Sequence, residues 1–256
     1  MSFWDTLAGV LSANGLVTAF AFVGLVVWLS YLVSDRLTAG RIHGSAIAIL
    51  VGLILAWVGG VATGGERGLA DIPVLAGVGI MGGAMLRDFA IVATAFGVRF
   101  DEIRKAGLGA ALGLILGVLG SFVVGGLVAY AFGYRDAVSM TTIGAGAATY
   151  IVGPVTGTAI GASSEVVALS IAAGLVKSML VMTLTPFVAR YIGLDNPRSA
   201  MIFGGLMGTT SGVAGGLAAT DPKLVPYGAM TATFYTGLGC LLGPSVFYFT
   251  VRAFFG

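Results

Sequence analysis

Apolar runs long enough to cross a bilayer recur along this chain, parted by short polar stretches. A membrane helix needs about 20 apolar residues to cross about 30 Å of hydrocarbon. Residues 15–34 meet that length and end at Asp35 and Arg36. After a polar loop with Arg41 and His43, residues 44–64 meet it again, closed by Glu66, Arg67 and Asp71. A third run begins near Ile72, meets Arg87 and Asp88 after Leu86, and continues to Gly97. Arg99, Asp101, Glu102, Arg104 and Lys105 form the clearest aqueous loop, followed by an apolar run over 107–132. A fifth covers 166–188, and a last one follows Asp221, Pro222 and Lys223 to Phe255 near the C-terminus. Charged residues make up only 9% of the chain and hydrophobic residues 57%, with mean hydropathy +1.02. Soluble domains carry about 25% charged residues. Lipid must therefore be the main solvent, and the expected fold class is an all-α polytopic membrane protein, one integral membrane domain over residues 1–256. The net charge of +2 is too small to suggest nucleic acid, and Cys240 is the sole cysteine, so no intrachain disulfide can form. Phe3 and Trp4 open a segment without a basic n-region, read as an interfacial helix rather than a signal peptide.

Two stretches break the helical pattern at membrane depth. GAGAATYIVGPVTG, from Gly144 to Gly157, holds four glycines and Pro154 around Thr149, Tyr150, Gly153 and Thr156. GGLMGTTSGVAGG, from Gly204 to Gly216, holds Thr209, Thr210, Ser211 and Gly212. One offset pairs Val128 with Val188, Gly133 with Gly193, Ser139 with Ser199, Gly144 with Gly204 and Thr149 with Thr209. The shared plan is an apolar span, a charged turn and a Gly/Thr-rich break, which predicts internal repeats over 104–163 and 164–223. If the breaks cross the membrane, the repeats are parallel. If they are re-entrant hairpins, the repeats are inverted, and Arg36/Arg41, Arg99/Arg104/Lys105 and Arg190/Arg198/Lys223 fall on one side. That leaves only Arg67, Arg135 and Arg252 on the other, so the positive-inside rule favours inverted repeats.

Irregular backbone at membrane depth survives only where protein or a water-filled cavity satisfies its polar groups. Secondary transporters use such breaks: half-helix N-termini point at anionic substrates, and freed carbonyls coordinate sodium. Thr149, Tyr150, Gly153, Pro154, Thr156, Gly157 and Gly212 are the candidate substrate contacts. Thr209, Thr210, Ser211 and Thr149 are the candidate Na⁺ ligands. Close packing of small residues is the plainer alternative for both stretches. Lys177 stands near the middle of a span, where a charge is costly enough to require a partner or cavity. It either meets a carboxylate substrate, pairs internally or snorkels. Arg87–Asp88 is read as an internal ion pair, Asp221 and Glu165 as wet segment ends, and His43 as a solvated loop residue. GTTSG around Ser211 superficially suggests a serine nucleophile, but the only histidine lies in the first loop. No Cys/His zinc cluster and no GxxxxGK[ST] loop are present. The chain is therefore expected to be a carrier without a cofactor, driven by an ion gradient, not an enzyme.

The segments GRIHGSAIAI, GGAMLRDFAIVATAFGV, YRDAVSMTTIGAGAATYIVGPVTG, ALSIAAGLVKSML and NPRSAMIFGGLMGTTSGVAGGLAATDPKLVPYGAMTATFYTGLGCLL resemble the larger (M) subunit of the malonate:sodium symporter family, from about Gly15 to Phe255. That resemblance implies malonate uptake coupled to Na⁺, in the bacterial inner membrane, with a second, small membrane subunit (L). It leaves open a homo-oligomer of the heterodimer and an elevator movement of the repeat pair against a scaffold. The second half is similar, more distantly, to LrgB-type membrane proteins, which imply a holin-like pore or a carrier of another short carboxylate such as glycolate.

Overall fold

The structure is a computed structural model that describes residues 3–40, 42, 44–65, 67–81 and 100–255. It is all-helical, without a strand among the described residues. The chain divides into two compact units, Met1–Ala93 and Thr94–Gly256. Five stretches are long and apolar enough to span a membrane: Gly15–Thr38, Gly44–Leu75, Gly107–Ala131, Ser164–Val188 and Pro222–Phe255. The chain is a multi-pass membrane protein.

In the first unit, α1 (Phe3–Ala13) leads into α2 (Gly15–Thr38) and α3 (Gly44–Thr63). The reversal between α2 and α3 is sealed where Ser34 Oγ donates to the Ile42 carbonyl at 2.6 Å. The Tyr31 ring lies where a side chain on Gly44 would sit, so the two helices close directly on one another. The run expected to open a span near Ile72 starts otherwise. Pro73 begins a 3-10 turn, Pro73–Leu75, and α4 (Gly77–Ile80) follows just before the described residues stop at Met81. Proline cannot donate a backbone hydrogen bond, which confines it to the first turn of such an element. The remainder of that run, with Arg87 and Asp88, lies outside the described residues, as do Arg41, His43, Glu66 and Arg99.

The second unit holds three long helices, α5 (Phe100–Ala131, broken by non-helical backbone at Gly107), α8 (Ser164–Val188) and α11 (Val225–Leu242). Between them lie two pairs of short helices, α6 (Ala137–Ala148) with α7 (Val152–Ile160), and α9 (Pro197–Met207) with α10 (Thr210–Ala218). A five-residue π-turn, Gly243–Phe247, joins α11 to α12 (Tyr248–Phe255). At 1.5 Å per residue, the 25-residue α8 is about 37 Å long, whereas the 12-residue α6 and 9-residue α7 reach only about 18 and 13 Å. Neither short arm can cross 30 Å of hydrocarbon alone.

Both pairs begin with matched caps. Asp136 accepts from Ser139 N at 2.8 Å, and Asn196 accepts from Ser199 N at 3.0 Å in a reciprocal capping box. Burial would raise the pKa of the Asp136 carboxyl, but hydrogen bonds from Ser139 outweigh it and hold the group below its ordinary value.

Close approaches at small residues give the directions. Gly153 packs on Gly146 and Gly157 on Thr142, so α6 and α7 are antiparallel. Gly146 packs on Ser170 and Gly174 on Tyr150, so α6 runs with α8. Gly212 meets Ser178, and Gly215 and Gly216 meet Met182 and Thr185, so α10 also runs with α8. Gly204 rests on Gly228 and Gly208 on Tyr235, so α9 runs with α11, while the short turn at Pro222–Leu224 sends α11 back against α10. Each pair is therefore a hairpin. The first comes in alongside the start of α8 and the second alongside its end, from opposite ends of the unit.

Two apolar crevices flank these hairpins, of about 620 and 440 Å³. The smaller, between α5, α6 and the face of α8 that carries Ala173 and Lys177, is also lined by Ser121, Gly125, Ile143 and Ala147. The larger, between α8 and α9, is lined by Val181, Thr185, Phe203 and Met207, each sixty positions further on.

Because Gly146 faces the Ser170 backbone with no space for a Cβ, Gly146→Leu should force the first hairpin off α8. Overpacking of this kind costs about 1–3 kcal/mol. The expected result is a lowered unfolding temperature in detergent; unchanged thermal unfolding would contradict this packing.

Candidate functional site

The two hairpin tips meet beside the middle of α8. The first tip, Thr149–Ile151, lies against Gly174, and the second, Gly208–Ser211, against Ser178, one turn further along. Tyr150 Oη and Ser211 Oγ approach to 3.4 Å across 61 residues of chain. Ser178 Oγ lies 2.8 Å from Ser211 Oγ and accepts from Thr209 Oγ1 at 2.9 Å. Four hydroxyls from three elements thus form one connected chain at the junction.

Local chemistry explains each tip. Thr149, 1% exposed, ends α6 in an extended conformation, and its Oγ1 accepts from Ile151 N at 3.5 Å. Its carbonyl accepts from Val152 N at 2.9 Å, opening α7. Thr209 caps α10, its Oγ1 accepting from Gly212 N at 3.4 Å. Gly208 precedes it at φ +69°, and the Tyr235 ring occupies the space where any side chain would go. A left-handed turn with no room for Cβ requires glycine.

The helix directions put the N-termini of α7 and α10 at the junction, together with the C-termini of α6 and α9. N-termini carry partial positive charge and C-termini partial negative charge. An anion and a cation can both be favoured within one small region.

Lys177 lies on another face of α8. Its Nζ donates to Ser121 Oγ of α5 at 2.9 Å, to the carbonyl of Ala148 at the end of α6 at 2.8 Å, and to Tyr235 Oη of α11 at 3.3 Å. Tyr235, fully buried, donates its own proton to the Gly117 carbonyl at 3.0 Å.

Of the residues singled out from sequence, Thr149, Tyr150, Thr209, Ser211 and Gly212 converge at the junction. Thr210 Oγ1 is buried there with no hydrogen-bond partner among the described groups. Gly153 and Pro154 belong to the first turn of α7, with Gly153 against Ser170 Oγ. Thr156 and Gly157 lie further from the tip. Thr156 Oγ1, buried and unpartnered among the described groups, faces Gly243 of the π-turn, and Gly157 faces Thr142 and Val167. Sequence reasoning missed Ser178, Ser121 and Tyr235. Ser178 had a usable signal, a hydroxyl adjacent to a mid-span lysine.

Residues 7–255 match the family described as malonate/sodium symporter MadM subunit. The chain belongs to the MadM family. No curated protein and no solved structure matches it. Membership in MadM makes this a membrane subunit of a transporter that has more than one subunit.

With Cys240 replaced by alanine, Ser178→Cys together with Ser211→Cys should form a disulfide under mild oxidation, since the native hydroxyls are 2.8 Å apart. A mass shift of the peptides joining α8 to α10 would record it; failure of the pair to crosslink would place the second tip elsewhere.

Proposed function

We propose that the chain is the larger membrane subunit of a carrier that moves malonate with Na⁺ across the bacterial inner membrane, working with a small partner subunit. The carrying observation is the approach of Tyr150 to Ser211, where two hairpins from opposite ends meet at mid-helix. Residues 104–163 and 164–223 are inverted repeats, a reading supported by the matched caps and by the crevices lined at one sixty-residue offset. Repeats of opposite direction allow two conformations that differ in which hairpin opens, which is what alternating access needs. An elevator movement of the repeat pair against a scaffold is the form adopted here.

The N-termini of α7 and α10 receive the substrate carboxylates through backbone N–H groups around Tyr150–Gly153 and Thr210–Gly212. A small dicarboxylate fits two such ends because each can take one carboxylate. Thr209, Ser211 and the unpartnered Thr210 Oγ1, with Thr149 across the junction, supply hard oxygens for Na⁺. An ion bound there would exchange the mutual bonds of these hydroxyls for ion–oxygen contacts. The closed approach of the tips favours a carrier over the holin-like pore that the remote resemblance allows.

Proteoliposomes holding both subunits should take up labelled malonate only when a Na⁺ gradient is present. Thr209→Val and Ser211→Ala should each raise the half-saturating Na⁺ concentration about tenfold, equivalent to about 1.4 kcal/mol for a lost ligand. Wild-type Na⁺ dependence in both variants would remove the ion site from the second tip, and uptake indifferent to Na⁺ would remove the coupling.

A further inference from the structure

Lys177 stands at the centre of the 25-residue α8, yet its ammonium turns away from the hydroxyl junction. All three of its N–H bonds go to neutral oxygens from separate elements: Ser121 Oγ at 2.9 Å, the Ala148 carbonyl at 2.8 Å and Tyr235 Oη at 3.3 Å. The ammonium also lies 5.1 Å from the centre of the Tyr235 ring. Among the described residues the ion pair found is Arg67–Asp71, in the other unit, and no carboxylate reaches Lys177. Ala148 is the last residue of α6, so the lysine meets the negative end of a half-helix. The oxygens of that cage favour a cation, and the lysine supplies it. A substrate anion approaching Nζ would have to displace internal bonds and face the α6 carbonyls.

A hydroxyl, a carbonyl and a phenol oxygen around one positive charge, at a half-helix C-terminus, is the shell a mobile cation uses in a broken-helix carrier. We infer that Lys177 is a tethered cation, built into the first break in place of a bound alkali ion, and a positioning residue for the first hairpin rather than a substrate ligand. The second break carries no such tether. At the sixty-residue offset Lys177 becomes Gly237, Ser121 becomes Val181 and Ala148 becomes Gly208. What the second break has instead is the hydroxyl set of Ser178, Thr209 and Ser211. One break therefore keeps a covalently tethered amine, and the other is left to a cation that comes and goes. With that asymmetry the two tips respond differently to a single ion gradient. The inference deepens the proposed function, and only its transport readout rests on that function.

The test uses Lys177→Ala, which opens the oxygen cage, and Lys177→Arg, which keeps a cation in it, in the purified two-subunit complex. Thermal unfolding is followed in choline chloride and in NaCl of equal strength. Lys177→Ala should unfold several degrees lower than wild type in choline and recover most of that loss in Na⁺, a larger Na⁺ shift than wild type shows. Lys177→Arg should stay near wild type in both. In proteoliposomes, Lys177→Ala should show a steeper Na⁺ dependence of malonate uptake, with its Hill coefficient raised by about one. Its KM for malonate at saturating Na⁺ should change less than threefold. A KM raised tenfold or more with an unchanged Na⁺ slope would make the lysine a substrate ligand and overturn the inference. Equal destabilisation in choline and Na⁺ would overturn it as well. Should wild type show no Na⁺-coupled uptake at all, the proposed function fails while the unfolding comparison still decides on Lys177.

Discussion

Backbone polar groups released at two helix breaks, in a chain whose solvent is lipid, must find partners within the protein. Nearly every feature of the second unit answers that requirement. Thr149 and Thr209 turn their own hydroxyls onto backbone N–H groups of the helices that follow them. The Ala148 carbonyl, with no helical donor ahead of it, accepts a hydrogen bond from Lys177. Tyr235 reaches the Gly117 carbonyl from 118 residues away. Were these partners missing, each buried group would cost about 1–3 kcal/mol, and the short arms could not persist beside the middle of α8.

Packing between the elements follows from the same solvent. Lipid gives apolar side chains little reason to seek one another, so helices associate by close backbone approach. The glycines at 146, 153, 174, 204 and 212 all lie where a Cβ would strike a neighbouring helix. Large apolar side chains, by contrast, point outward: Leu180 and Leu184 on α8 and Val124 on α5 are more than half exposed. In a soluble domain that pattern would be inside out, and here it marks the lipid face.

Much of this is legible in sequence because the signals are local. The Thr-Thr-Ser run marks the second break within two residues of where α9 stops, whereas Gly153–Pro154 falls in the first turn of α7, five residues past the end of α6. Asp136 and Asn196, with serine three residues later, mark the start of each hairpin, and the charge-poor runs mark the long helices. What sequence cannot supply are partners distant along the chain. Lys177 is recognisable as costly, but its acceptors lie 29, 56 and 58 residues away and carry no pattern that names them. Ser178 escapes notice for a related reason, since a lone serine in a span reads as a small packing residue until a second helix brings Thr209 and Ser211 to it.

The two breaks share a plan but not a chemistry, and the difference falls on one residue of one helix face. Successive residues of α8 are about 100° apart, so Lys177 and Ser178 look toward different hairpins. Lys177 fixes the first tip through α5, α6 and α11 at once, while Ser178 offers the second tip only hydroxyl partners that an ion can replace. A tip held by a tethered lysine and a tip held by exchangeable hydroxyls will not respond alike to the same cation. Duplication of a symmetric unit would supply two equal hinges. In the proposed register of the repeats the lysine stands opposite Gly237, and on that reading the second hairpin is the one that senses cations.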